Sequence, residues 1–174
     1  MMLVVVILAI LAGATAWSMT EQVRRGRRSD VVSRLKHADA VARLAARRTG
    51  PCVLRFDLER QTVRRIDRVG GEQRAAHGVE VPQGFGIDRI VADRAAGSRT
   101  SRRGLVHHTS GTVDIAYAGN GNSGTYAVRV IVTEQRRSFW LVVAGLTGQV
   151  VQIDDDEQFD NLYAMLARGG PDAD

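Results

Sequence analysis

The first nineteen residues, Met1 to Met19 (MMLVVVILAILAGATAWSM), carry no charge and are almost wholly apolar, and four arginines follow between positions 24 and 28. At about 1.5 Å per residue such a segment makes a helix of about 28 Å, close to the hydrocarbon thickness of a bilayer. Three roles fit it: a permanent membrane helix, a cleaved secretory signal, or an apolar helix that passes from membrane into a protein assembly. A cleaved signal should open with a basic stretch, which is missing, although Ala14-Thr15-Ala16 offers a cleavage-like site. For a fixed anchor, Arg24, Arg25, Arg27 and Arg28 favour a cytoplasmic C-terminal domain.

Beyond this opening about 155 residues remain, enough for one ordinary domain with a real core and too few for two. The formal charge of +5 invites a nucleic-acid reading, but Lys36 is the only lysine among 24 basic residues, a bias that GC-rich coding produces as readily as selection for a polyanion. Basicity of this kind speaks of solubility and non-specific attraction, not of a named ligand. Cys52 stands alone, so an intrachain disulfide framework is excluded. It reads as a small, half-buried strand residue rather than a reactive thiol.

After the basic cluster, Val31, Val32, Leu35, Ala38, Val41, Ala42 and Ala45 recur at three- and four-residue steps, with Arg34, Lys36, Asp39, Arg43 and Arg47 on the other positions. This is an amphipathic helix of about five turns. Gly50 and Pro51 end it near Thr49, because glycine suits the position past the last turn and proline forbids continuation. One helix of about 70 Å is expected, with a bend at Gly26 allowed or a second helix capped by Ser29.

The period then changes from helical to alternating. Strands are expected at Cys52–Asp57, Thr62–Arg68, Val79–Val81, Phe85–Val91, Thr112–Ala118, Tyr126–Thr133, Ser138–Leu146 and Gln149–Ile153, with turns at Gly119–Gly124 and Thr147-Gly148. Ala92–Gly104 has no apolar period and reads as a mobile basic loop. Asp156–Arg168 reads as a short closing helix before an acidic tail. The fold class is therefore α+β: residues 1–19 form an apolar helical segment and 20–50 its amphipathic continuation. Residues 51–168 form an antiparallel β-rich domain, and 169–174 the tail.

Chemical motifs are sparse. Gly119, Gly121 and Gly124 fit G-x-G-x-x-G, but a dinucleotide site needs strand, glycine loop and helix, whereas the β-type run TYAVRVIVT follows; a flexible hairpin loop is expected. His107 and His108 are adjacent, and on a strand such neighbours point to opposite faces, which suits no single metal ion. Asp154, Asp155, Asp156 and Glu157 lack the glycine turn and spacing of a calcium loop and read as a solvated helix start. Ser110 sits beside those histidines in no nucleophile context. No catalytic site, cofactor site or metal site is read. Arg94, Arg99, Arg102 and Arg103 make the best candidate polyanion contact, without the interleaved aromatics that nucleic-acid grooves use.

An apolar run of the type MMLVVVILAILAG, an alanine-rich amphipathic continuation and a small β domain resemble the type IV pilin superfamily, and within it the H-type minor pseudopilins of type II secretion. The stretches ARLAARRTGPCVLRFD, HGVEVPQGFGIDRI and LVVAGLTGQV add to the resemblance, which spans nearly the whole chain. Family precursors carry a basic leader, a glycine before the cleavage point, a phenylalanine that becomes the methylated N-terminus, and a glutamate soon after. None is present, and Met1-Met2-Leu3 looks like sequence just past that glutamate, so the processing residues are expected upstream of Met1.

The resemblance implies an assembly component rather than an enzyme. It implies a single-pass location in the bacterial inner membrane with the β domain in the periplasm, opposite to what the arginine neck alone favours. Its partners would be other pseudopilins and inner-membrane secretion components. Leu3, Val4, Val5, Val6, Ile7, Leu8, Ile10, Leu11 and Gly13 would form the membrane and assembly helix, where Gly13 with Ala12, Ala14 and Ala16 permits close helix approach. The rival is a minor pilin that takes up DNA or another polyanion through Arg94–Arg103.

Overall fold

The computed structural model describes residues 2–69, 72–93, 105–135 and 137–168, with the side chains of residues 2–25, 68–69, 72–73, 77, 93, 105 and 163–168 left aside. One helix, α1 (Met2–Thr49), runs without interruption through the apolar opening, the arginine neck and the amphipathic stretch. Its end is built as the local chemistry requires. Gly50 takes a left-handed φ of 102°, its N–H reaches back to the Ala46 carbonyl at 3.1 Å, and the Thr49 hydroxyl donates to the Ala45 carbonyl at 2.8 Å. Among the described residues no helix is long and apolar enough to cross a membrane; the expectation for residues 1–19 rests on side chains outside them.

The chain divides into two compact units, Met1–Ser33 and Arg34–Asp174. The first is helix alone. Among the described residues the second contains the last turns of α1, nine strands and a closing helix. β1 (Cys52–Asp57), β2 (Thr62–Val69), β3 (Glu72–Glu80) and β6 (Thr112–Tyr117) form one antiparallel sheet in the order β3-β2-β1-β6. β4 (Phe85–Asp93), β5 (Leu105–His108), β7 (Tyr126–Val132), β8 (Arg137–Val143) and β9 (Val150–Ile153) form a second, in the order β5-β4-β7-β8-β9. The α+β class read from the sequence is the architecture observed.

Alternation along the strands places the core. Cys52, Leu54 and Phe56 of β1 lie opposite Tyr117, Ile115 and Val113 of β6, and all six are buried. On the second sheet Tyr126, Val128 and Val130 lie opposite Val143, Leu141 and Phe139, again all buried. Phe56 meets Tyr126 edge to face, with ring centroids 5.9 Å apart. The inner faces of the two sheets therefore touch, and Leu35 of α1 lines a small cleft with Phe56, Tyr126, Val128, Leu141 and Val143. The opposite face of the second sheet carries Val91, Ala127, Trp140 and Val142, covered by Phe159 of α2 (Asp156–Arg168). Phe159 stacks on Trp140 with centroids 3.6 Å apart and planes within 4°.

Gln61 joins the two sheets. Its backbone holds a left-handed φ of 54° in the β1–β2 turn. Its side-chain amide behaves like a strand residue paired with Ile87 of β4: Oε1 accepts from the Ile87 N–H at 2.6 Å and Nε2 donates to the Ile87 carbonyl at 3.0 Å. The β4–β7 register shifts between Ile87 and Arg89 at this point, so an extra residue bends the strand where the amide enters.

Several expectations change. β3 begins at Glu72 rather than Val79, because its first half is polar edge strand with no apolar alternation to reveal it; the register shift in its pairing with β2 falls between Arg64 and Ile66. β5 was not read as a strand because its four residues, LVHH, are too few to show an alternation. β8 ends at Val143, and Gly145–Thr147 turn instead of continuing the strand. The Gly119–Gly124 segment is not a hairpin within one sheet: it carries the chain from β6 in the first sheet to β7 in the second. Cys52 is 3% exposed, fully rather than half buried.

The glycine-rich segment and the β8–β9 turn press together. A Cβ built on Gly145 meets backbone atoms of Ser123 and Gly124, and the Ser123 N–H donates to the Gly145 carbonyl at 3.0 Å. Gly145→Ala should therefore lower stability by about 1–3 kcal/mol, read as a shift of the urea midpoint at constant slope. An unchanged midpoint contradicts the close approach.

Candidate functional site

The described residues gather polar chemistry in one buried place, where the end of α1 enters the β domain. Asp39 and Arg43 stand one helical turn apart, so their side chains share a face. Arg43 Nε donates to Asp39 Oδ2 at 2.6 Å. Both residues are buried, at 3% and 8% exposure, although the amphipathic reading places them on the polar positions of the helix. The correction has a physical cause: Ala38, Ala42, Ala45 and Ala46 are buried beside them and too small to fill the space between sheet and helix. Long polar side chains fill it instead.

Two buried charges persist only when their remaining hydrogen-bonding groups are satisfied. Asp39 Oδ1 accepts from the Tyr117 hydroxyl at 2.5 Å and the Tyr126 hydroxyl at 2.9 Å. Arg43 spreads its other donors over two turns. Nη1 donates to the carbonyls of Gly145 at 2.7 Å and Gly121 at 3.2 Å. Nη2 reaches Ser123 Oγ and the Ala144 carbonyl at 3.3 Å. Arg43 also sits over the Tyr117 ring, 5.5 Å from its centroid. One turn on, Arg47 Nε donates to the Asn120 carbonyl at 3.1 Å. The glycines follow from this: a Cβ on Gly121 would strike the Arg47 side chain and one on Gly148 the Arg43 side chain.

Burial, then the negative Asp39 and the hydrogen bond to it, push the Tyr117 hydroxyl well above its ordinary range. Tyr126 is pushed the same way by burial, by Tyr117 and by Asp39. Neither phenol is an acid or base at neutral pH. The Cys52 thiol, raised mainly by burial and then by Asp67, donates to the Ala42 carbonyl at 3.3 Å and is no nucleophile. This arrangement binds one helix to two turns.

A second cluster fastens α2. Arg129 of β7 donates to Asp88 at 3.0 Å and to Asp156 at 2.6 Å. The Trp140 indole N–H donates to the other Asp156 oxygen at 2.7 Å. Burial works to raise the Asp156 carboxyl, and the bonds from Trp140 and Arg129 outweigh it, so the group lies below the ordinary carboxylate range. The helix start expected to be merely solvated is therefore tied to the sheet through Asp156, while Asp155 Oδ1 caps it by accepting from the Glu157 N–H at 2.9 Å.

Of the sequence candidates, Arg94, Arg99, Arg102 and Arg103 lie outside the described residues. Leu3, Val4, Val5, Val6, Ile7, Leu8, Ile10, Leu11 and Gly13 lie on α1, their side chains outside the description. His107 and His108 are neighbours on β5, and among the described residues no group of three His, Cys, Asp or Glu side chains gathers as a metal site. Sequence reasoning missed the Asp39, Arg43, Tyr117 and Tyr126 cluster. A signal was present: an acid and a base four apart, bracketed by alanines, are a pair able to turn inward.

No protein-family model matches the chain, and no curated protein matches it either. Among solved structures, the chain is similar to the minor pseudopilin EpsH from the Type 2 Secretion System of Vibrio cholerae. Identity is 8% and the TM-score 0.46, over 75% of this chain and 95% of that one.

Breaking a buried ion pair from one side leaves the other charge stranded. Arg43→Met should therefore cost about 3–5 kcal/mol, measured by denaturant unfolding, and a loss below 1 kcal/mol contradicts the geometry. Because the tyrosines hold their protons more tightly folded than unfolded, stability is intact below pH 10 and falls as pH rises beyond it. Tyr117→Phe should flatten that alkaline limb. Asp156 works oppositely: its contribution is present above the ordinary carboxylate value and lost as pH falls through its lowered one, so Asp156→Asn should blunt the acid limb.

Proposed function

We propose that the chain is a minor pseudopilin, a structural and assembly component of a type II secretion pseudopilus, held in the inner membrane by its apolar opening with the β domain in the periplasm. One observation carries the reading: α1 continues unbroken from the chargeless segment to Thr49, and its last turns enter the β domain through a satisfied buried ion pair. A helix of this kind is fit for two settings. Its first part is compatible with lipid and, through small residues at 12–16, with close packing against sister helices. Its last part is bonded to the domain it carries. The sequence resemblance suggests the family and, with it, other pseudopilins as partners.

The topology can be tested directly, because the native thiol is buried and contributes little background. Asn120→Cys, at an exposed turn, should react with a membrane-impermeant maleimide in intact spheroplasts of the host, and the protein should copurify with other minor pseudopilins from solubilised inner membrane. Labelling that requires permeabilised cells overturns the periplasmic placement. Recovery without any pseudopilin, together with salt-sensitive binding of duplex DNA, would favour the polyanion-binding rival.

A further inference from the structure

Asn120–Gly121 is the sole Asn-Gly step in a chain with three asparagines. It lies in the connection from β6 to β7, where the end of α1 holds the turn. Asparagine is among the thermolabile residues. A following glycine is the least hindered setting for attack of the backbone nitrogen on the side-chain amide, because it has no side chain to block the approach. Here packing imposes the glycine. Gly121 takes a φ of 81°, and a Cβ on it would meet the Arg47 side chain and the Arg43 carbonyl. The residue that lets two arginines close on the turn therefore makes the bond before it chemically labile.

The same contacts hold the reacting atoms apart. The Gly121 N–H donates to the Ala118 carbonyl at 2.8 Å, closing a β-turn whose central residues, Gly119 and Asn120, both keep negative φ. Such a turn is of type I and sets ψ of Asn120 to about 0°. Ring closure puts Asn120 Cγ and the Gly121 nitrogen in one five-membered ring, so ψ has to rotate far from that value. Rotation withdraws the Asn120 carbonyl from Arg47 Nε, 3.1 Å away, and the Gly121 carbonyl from Arg43 Nη1, at 3.2 Å. The side chain is held as well, since Oδ1 accepts from the Asn122 N–H at 3.0 Å. Asn120 is exposed and Gly121 buried, so water reaches the amide while the nucleophile stays covered.

We infer that Asn120 is a self-modification site gated by the helix: with α1 seated on the turn the amide persists, and release of the contact lets the Gly121 nitrogen attack Asn120 Cγ. In that step the N–Cγ bond forms and the Cγ–Nδ2 bond breaks. The amide nitrogen leaves as ammonia, carrying the proton that Gly121 gives up. Water then opens the succinimide at either carbonyl, yielding aspartate or isoaspartate. Isoaspartate adds a methylene to the main chain just before Gly121, which takes the Gly121 carbonyl out of register with Arg43 and weakens helix seating for good. The turn thereby keeps an irreversible record of helix release. The inference stands on the turn's own geometry and does not depend on the secretion reading.

The test ages the full chain in detergent at mildly alkaline pH, in buffer and in denaturing urea, and reads isoaspartate at position 120 by electron-transfer fragmentation of its peptide. Conversion in buffer should be at least about tenfold slower than in urea, since only the opened fraction reacts. Arg43→Lys and Arg47→Met should each speed conversion in buffer several-fold and leave the urea rate unchanged. Arg47→Met removes one exposed bond, so it keeps the gate testable even where Arg43→Lys fails to fold. Phe159→Ala loosens α2 on the far face of the second sheet, and should lower the urea midpoint without speeding conversion. The isoaspartate fraction should unfold at lower urea than the unmodified chain, whereas Asn120→Asp, which adds the charge without the methylene, should not. Equal rates in buffer and urea overturn the gate, as does Phe159→Ala accelerating conversion as much as the arginine variants. Absence of conversion in urea overturns the site, and an isoaspartate fraction with an unchanged midpoint overturns its effect on helix seating.

Discussion

The buried pair of Asp39 and Arg43 is the constraint on which the β domain's arrangement rests. Desolvating two charges is costly, and the structure offsets that cost by surrounding them with partners: two tyrosine hydroxyls for the carboxylate, and carbonyls from two turns for the guanidinium. The partners come from α1, β6, β7 and the connections after β6 and β8. A single arginine thereby specifies where both turns lie against the helix. Apolar burial of alanines in the same stripe could not do this, because a smooth small-residue face tolerates sliding, whereas a forked guanidinium between fixed carbonyls has one register.

The same logic explains features that look unrelated. Gly121 and Gly148 lack side chains because arginine stems occupy the space a Cβ would take, and Gly145 because the neighbouring backbone does. Of the G-x-G-x-x-G glycines, Gly121 is the one pressed by the helix arginines. The two sheets, whose only shared covalent path runs through connections, are fastened at one side by the Gln61 amide on Ile87 and at the other by Phe56 against Tyr126. On the far face Arg129 and Trp140 converge on Asp156 and lock α2 over its apolar cluster. Polar side chains here act as positional fasteners, and apolar area supplies the bulk of the driving force.

The helix is chargeless in sequence over residues 1–19 and is hydrogen-bonded into the β domain over its last turns. In the polar clusters the thiol is buried, the phenols keep their protons, and Asp39 and Asp156 accept hydrogen bonds. Among the described residues, Leu44, Leu146, Arg47 and Arg48 remain exposed.

Local pattern alone determined the long helix and its stop at Gly50, the change to antiparallel strands, most strand positions and the closing helix from Asp156, because helix periodicity, strand alternation and turn residues act within a few positions. It could not show the edge strand from Glu72 or the strand from Leu105, whose pairing is backbone to backbone and leaves no apolar alternation. Nor could it turn Asp39 and Arg43 inward. A charged residue on a helix is exposed by default, and the burial of Asp39 depends on partners far along the chain, Tyr117 and Tyr126, as well as on Arg43. The membrane-length apolar opening was legible from residues 1–19; the site that fastens the helix to its domain was decided by tertiary packing, since satisfying a buried charge is a property of what surrounds it and not of the charge itself.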